Sequence, residues 1–409
     1  MHARGSDSAM IIRRIPEDFR VDEIISASFS AGLSPARDKF REHSVWRVDK
    51  KSLTTQEAVV RLAKAMGVRA GSVAYAGLKD KHAVTRQWMT ARFPHGDAPD
   101  RFDLSGVSAS LAGWSPREVR ASDIDGNSFE IVIRRINRSD VGELEHRASR
   151  FESSPGRLVF INYFGDQRFG SARHGQGFIA RHLIRAEFEE ALRLAIATPA
   201  RKDTGARRVF TRLLAGAWGD WAGVLPRLPR CPQRACIEAL AAGKDFRSAF
   251  ASLPNFEQRI IVDAYQSHLW NRTAALLGTE VCEVNGTNPV LTDTSGLVYP
   301  PAAALSGLSY ELPLFSPATR MCSPWCFAAE RVLREEGISL HDLRIPGLRR
   351  PEFGEAPRPL LATAGEFALN DPSRDELSVG GLFKRTVRCV LPRGAYATVL
   401  FRAIGQDGE

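Results

Sequence analysis

Tyr75-Ala-Gly-Leu-Lys-Asp-Lys-His-Ala-Val-Thr-Arg-Gln-Trp-Met-Thr90 holds one carboxylate, Asp80, between two lysines, after a glycine and before an alternating run. Lys79 and Lys81 favour the charged form of a carboxylate, which makes Asp80 available as a nucleophile or base at neutral pH. Gly77 is expected to supply a sharp turn or a positive φ that lifts Lys79 and Asp80 onto a loop tip. Taken alone, Lys-Asp-Lys also describes a solvated hairpin turn. The residues around it decide between the two.

Upstream, residues 11–15 and 19–25 read as short strands separated by the turn-forming Pro16-Glu17-Asp18, and Val45, Trp46 and Val48 continue the strand pattern. Thr54 with Glu57 is a capping box, Val59, Leu62, Ala63 and Met66 form a helical apolar stripe, and Gly67 closes it. Residues 73–76 and 83–91 are the strands entering and leaving the Asp80 loop. Downstream, Gly126-Asn127-Ser128-Phe129 opens a strand with Phe129, Ile131 and Ile133 on one face and Glu130, Val132 and Arg134 on the other. That periodicity makes Phe129 a core residue. Arg134, Arg135 and Arg138 form a basic edge that either meets phosphates or stands in solvent. In Asn162-Tyr-Phe-Gly-Asp-Gln-Arg-Phe-Gly170, Tyr163, Phe164 and Phe169 offer aromatic faces and Arg168 a cation. Residue chemistry leaves RNA contact and packing equally open there.

Gly77-x-Lys-Asp-Lys-His-Ala-Val-Thr-x-Gln-Trp88 resembles the catalytic motif of the TruD family of tRNA pseudouridine synthases. The resemblance implies that Asp80 is the nucleophile. Gly-Asn-x-Phe is a motif of the same family, in which the Phe stacks on the target uracil and the Asn helps hold the active site. Those roles pass to Phe129 and Asn127. A family Lys three residues before the proline of Pro16-Glu-Asp-Phe19 approaches the catalytic Asp; here the position is Arg13, which keeps the charge but not the geometry. Lys79, Lys81 and Arg168 are carried over as substrate-binding residues. Glu42-His43, Lys50-Lys51, Thr55 and Asn162–Gly170 also fit the family, as does Val387-Arg-Cys-Val-Leu-Pro-Arg-Gly-Ala-Tyr-Ala-Thr-Val-Leu-Phe-Arg402. In the last of these Ala395 replaces a small Ser, and Ala403 stands where an acid is common. The match is looser across residues 171–385.

That middle region reads as a helix over 178–197, with Ile184, Phe188 and Leu192 in register. A basic irregular stretch over 198–235 follows, in which Arg201, Lys202, Arg207, Arg208 and Arg212 are candidates for phosphate contacts. A helix over 256–276 carries Tyr265-Gln-Ser-His-Leu-Trp-Asn271. Trp270 and Asn271 are expected to face the cleft, with His268 packed or solvated rather than catalytic. Residues 280–320 read as short strands and loops, and 387–402 as a strand turning at Pro392 and Gly394 into a final helix. The resemblance implies an α+β (mixed α/β) fold: a pseudouridine-synthase catalytic domain with a mixed, largely antiparallel sheet and flanking helices, over 1–172 and 345–409. A TRUD accessory domain is inserted over 173–344.

The chain has 409 residues, enough for two domains, and 44% hydrophobic with 25% charged residues describes an ordinary globular protein. A formal charge of +9 suits a polyanionic partner. No apolar run reaches membrane-spanning length and the first residues lack the apolar stretch of a signal peptide, so a cytoplasmic location without membrane association is expected. Six scattered cysteines do not make a disulfide framework, and their spacings do not fit a zinc knuckle. No Walker, Rossmann or zinc-hydrolase motif occurs. The expected partner is tRNA, the enzyme a monomer, and the reaction one that needs neither metal nor cofactor. By resemblance the target is uridine 13, flipped out of the stack. Two other readings compete. A non-catalytic RNA-binding or tRNA-chaperone module would not need the intact Asp80, Asn127 and Phe129. A carboxylate-dependent hydrolase would want a second carboxylate or a metal cluster beside Asp80.

Overall fold

A computed structural model describes residues 10–92, 98–172, 175–200, 203 and 205–405. The chain divides into two compact units, one of Met1–Phe160, Pro301–Leu305 and Ala362–Glu409, the other of Ile161–Pro300 and Ser306–Leu361.

The first unit is built on a 13-stranded sheet, antiparallel along most of its width, with Phe19–Ile25 running parallel to Val84–Arg92. Its centre places Phe19–Ile25 between Val84–Arg92 and Ile124–Ile136, and Ile124–Ile136 beside Phe383–Pro392. The helix Thr55–Met66 starts at the capping box of Thr54 and Glu57 and ends at Gly67, in the left-handed region at φ 69. Ala58, Val59, Leu62, Ala63 and Met66 bury its apolar stripe against Trp46, Val48 and Met89 of the sheet. Pattern and fold agree here because the helix lies on one face of the sheet and needs only one apolar side.

Arg134 fits neither reading of the basic edge, phosphate-bound or solvated: it is 3% exposed. Its guanidinium donates to both Asp18 carboxylate oxygens at 2.8–2.9 Å, to Asp375 at 2.7 Å and to Glu376 at 3.1 Å. Asp18 also accepts from the Ile15 amide at 3.1 Å, which ties the short 3-10 turn Pro16–Asp18 to the central strand. The Arg134 charge therefore organises the segment that follows Arg13, and phosphate contact is excluded by burial.

The second unit is mainly helical. The expected helix over 178–197 is two helices, Ile179–Ile184 and Phe188–Ile196, because Ala186 sits in the left-handed region at φ 58. Residues 198–235 are not irregular either, since Gly205–Gly216 and Trp221–Val224 are helices. Phe210 and Leu214, four apart and both buried, are the signal that the basic composition masked. The long helix runs Asn255–Val284, eight residues past its expected end, and is packed along much of its length. On it, His268 lies 4.5 Å from the Phe178 ring and bonds to the buried Glu336, as a packed histidine should. Burial alone would raise the Glu336 pKa, but hydrogen bonds from His268, Arg272 and Tyr265 outweigh it and hold the carboxyl at about 2.

All six cysteines are free thiols, and burial pushes Cys236 and Cys389 up to about 12, so neither is a reactive thiolate. Among the described residues no helix is long and apolar enough to cross a membrane.

Candidate active site

The strands Val73–Tyr75 and Val84–Arg92 flank the Asp80 loop in the first unit. Gly77 does not take the positive φ that its type allows, and open space surrounds the position of a missing Cβ. The loop is instead held by side chains from neighbouring elements. The Lys79 amide donates to Thr55 Oγ1 at 2.9 Å, and Thr55 in turn donates to Gln87 Oε1 at 3.1 Å. Lys50 Nζ donates to the Asp80 carbonyl at 2.8 Å. Main-chain anchoring leaves the Asp80 side chain 34% exposed, accessible on a fixed backbone.

Arg13 pairs with the Asp80 carboxylate, with Nη1 3.3 Å from Oδ2. Arg13 stands where the resemblance implied a basic residue. Its backbone is in the left-handed region at φ 66, a conformation that costs about 1–2 kcal/mol for a residue with a side chain. Its guanidinium lies over the Phe19 ring, 4.9 Å from the centroid. The strain is compensated by this contact, by the carboxylate and by the Asp18–Arg134 anchor that follows in the chain.

Lys79 Nζ lies 2.8 Å from Glu23 and donates to Asn127 Oδ1 at 2.7 Å. Glu23, whose side chain is 1% exposed, also accepts from the Trp88 amide at 2.8 Å. The lysine is thus a half-buried crosslink between two strands rather than a free flank of the carboxylate. Asn127 reaches it because Gly126 allows the last strand to approach closely: a Cβ there would lie 2.4 Å from the Leu391 carbonyl oxygen. Phe129, two positions on, is 9% exposed and meets the Phe19 ring edge-on at 6.1 Å. Its ring packs as the periodicity indicated.

Asp80, Arg13, Lys79, Asn127 and Phe129 therefore share one region of the first unit. Lys81 turns away to Glu57 at 3.2 Å, in an exposed pair worth about 0–1 kcal/mol. Arg168 belongs to the second unit, where Nε donates to Ser267 at 3.1 Å and Nη2 lies 3.2 Å from Asp263. The motif around it is largely packing. Tyr163 is fully buried with its hydroxyl on the Val298 carbonyl at 2.6 Å, and Phe164 exchanges main-chain bonds with the Asn271 amide at 2.8 and 2.9 Å. Trp270 and Asn271, expected to face the cleft, are buried, and the Trp270 indole donates to the Leu312 carbonyl at 2.9 Å. Arg207 and Arg208 bind main-chain carbonyls of Ala195 and Asp203, each at 2.6 Å, so both hold the helical unit itself. Arg201 and Lys202 lie outside the described residues.

Two site residues carry no role in the sequence reading: Glu23 and Lys50. Both occupy the inward phase of their strands, Glu23 after Phe19 and Val21, Lys50 after Trp46 and Val48. A charged residue at the buried phase of a two-residue period is the signal that finds them. Among the described residues no group of three or more His, Cys, Asp or Glu is placed to hold a metal ion.

The family model described as tRNA pseudouridine synthase D (TruD) matches residues 3–285. The tRNA pseudouridine synthase D of Aquifex aeolicus is 27% identical over 406 residues, covering 96% of this chain and 97% of the relative. A Pyrobaculum aerophilum protein named probable tRNA pseudouridine synthase D is 31% identical, covering 98% and 93%. A crystal structure assigned to a tRNA pseudouridine synthase D of Methanosarcina mazei superposes with a TM-score of 0.68 at 22% identity, over 98% of this chain and 94% of that one. The last likeness speaks for the fold alone.

Proposed function

This chain belongs to the TruD family of tRNA pseudouridine synthases, and from that premise we propose that it isomerises uridine 13 of tRNA with Asp80 as nucleophile. The observation that carries the assignment is the accessible Asp80 carboxylate, paired with Arg13 at 3.3 Å on a loop whose main chain is anchored by Thr55 and Lys50. A nucleophile works best when its approach is fixed before the substrate arrives.

In this reading the target uridine leaves the stack, because its glycosidic bond is out of reach inside a helix. The N1–C1′ bond breaks, the base turns, and a C5–C1′ bond forms while a proton moves from C5 to N1. Atoms and electrons balance within the nucleotide, so the reaction calls for no redox partner. Arg13 orients the Asp80 carboxylate. Lys79, held by Glu23, positions Asn127 beside it. The sheet unit is the synthase catalytic domain, and the helical unit, which carries Arg168, is the inserted accessory domain.

The test of the target is a transcript experiment. Purified protein should convert one uridine, at position 13, and a transcript with U13→C should accumulate no pseudouridine. Conversion at another position with U13 untouched would refute the site assignment while leaving the chemistry standing.

Phe129 has two duties in this reading, stacking on the uracil and filling the sheet. Its burial sets the expected result. Phe129→Ala should cost about 3–5 kcal/mol of stability, whereas Phe129→Leu keeps most of the volume but loses the π face. Single-turnover rates on the folded Leu variant isolate stacking, expected to be worth about 1–3 kcal/mol. A Leu variant with the wild-type rate would leave Phe129 as core only.

A further inference from the structure

Trp46, Val48 and Lys50 share the inward face of the strand His43–Lys51, and Lys50 is 1% exposed. An ammonium in such a place is costly unless bonded. Its Nζ donates to two main-chain carbonyls, Leu53 at 2.7 Å and Asp80 at 2.8 Å. Those bonds join the turn that leads into the helix Thr55–Met66 to the residue assigned as nucleophile. Burial is the main cause that lowers the Lys50 pKa to about 8, with Lys79 acting in the same direction and the charges of Asp80 and Glu57 opposing it.

The other charged groups nearby are engaged elsewhere. On the same strand, Lys51 pairs with Glu17 and Asp49 with Arg86 of the neighbouring strand Val84–Arg92, which also reaches Asp22. The loop supplies Lys79, paired with Glu23, and Lys81, paired with Glu57 of the helix. On its other side the strand aligns Lys50 with Val107, followed by Ser108 and Ala109, so no charge comes from there.

Resting on the assignment of Asp80, we infer that Lys50 is a positioning residue for the isomerisation: its ammonium fixes the main chain of Asp80, so that the carboxylate meets the ribose or base in one orientation. A charged donor makes stronger bonds to carbonyls than a neutral amine, so the hold weakens when the ammonium loses its proton. Lys50 acts through Asp80 and does not touch substrate.

The test compares wild type, Lys50→Met and Lys50→Gln in single-turnover reactions on a tRNA transcript, from about pH 6.5 to about pH 9.5. At neutral pH the rate at saturating tRNA should fall about 100-fold in both variants, with the tRNA concentration for half-saturation within about threefold. The wild-type to variant rate ratio should shrink as pH rises through about 8, because only the wild type has this charge to lose. Ionisation of uridine affects all three enzymes and cancels from the ratio. Lys50→Gln keeps a neutral donor for one carbonyl, so it separates charge from a plain tether, and it carries the comparison if Lys50→Met does not fold. A wild-type rate in the folded variants, a loss that appears only in tRNA affinity, or a ratio independent of pH would overturn the inference. Asp80→Asn in the same assay keeps the two claims apart. Residual turnover there removes the nucleophile and this inference with it, whereas an inactive Asp80→Asn beside normal Lys50 variants removes only the role of Lys50.

Discussion

Asp80→Asn should abolish pseudouridine formation, lowering the single-turnover rate by on the order of 10,000-fold, as removal of an enzyme nucleophile generally does. The amide nearly matches the carboxylate in size but is a far weaker nucleophile. Because the Asp80 loop is held through its main chain by Lys50 and through Lys79 by Thr55, the substitution should leave the backbone in place. The substitution weakens the partly exposed pair with Arg13, and such pairs are worth about 0–1 kcal/mol. tRNA affinity should therefore stay within a few-fold, measured by filter binding at fixed salt, since phosphate contacts set most of it. Loss of binding in parallel with loss of turnover would mean that Asp80 holds RNA rather than reacting with it.

The second large effect concerns stability. Arg134→Met should destabilise the sheet unit by about 3–5 kcal/mol, because it strands the buried carboxylates of Asp18 and Asp375 without their cation. With two units in the chain, a single melting temperature does not isolate this, so hydrogen exchange of the amides in Ile124–Ile136 is the appropriate measurement. The wild-type cluster also has a defined response to acid. Burial alone would raise the Asp375 pKa, but bonds from Ser378, Arg134 and two backbone amides outweigh it and bring it below its ordinary 3.8. A carboxyl depressed in the folded state contributes fully above its unfolded pKa and loses that contribution as pH falls through the folded value. The exchange-derived stability of this strand should consequently drop below about pH 4 in the wild type, and show a smaller drop in Arg134→Met. Unchanged protection in the variant would contradict the assigned role of the cluster.

Much of this arrangement was legible in the residues. The capping box at Thr54, the stripe ending at Met66 and the glycine at 67 specify a helix by local rules alone, and the helix is there. The closing strand Phe383–Pro392 and helix Ala397–Ala403 were readable for the same reason. Arg134 was not, since its partners lie 116 and 241 residues away and a strand arginine beside Arg135 reads as part of an exposed basic edge. Arg13 was legible through resemblance, but the left-handed backbone that aims it was not. In the helical unit, the composition of 198–235 suggested a basic irregular stretch, while Phe210 and Leu214 bury a helix face that only tertiary packing stabilises. The chemistry of the aromatic motif at 162–170 left packing and RNA contact open, and Tyr163 and Phe164 are buried in packing. Local signals fixed elements, and distant charge pairs fixed how the site residues are aimed.

The most direct measurement is a position-resolved map of pseudouridine in cellular tRNA from a strain lacking this gene, complemented with the wild type, with Asp80→Asn, or with an empty vector. The account predicts that pseudouridine 13 disappears in the deletion, returns with the wild type, and stays absent with an Asp80→Asn protein present at equal abundance. Pseudouridine 13 restored by Asp80→Asn, or unaffected by the deletion, would contradict it.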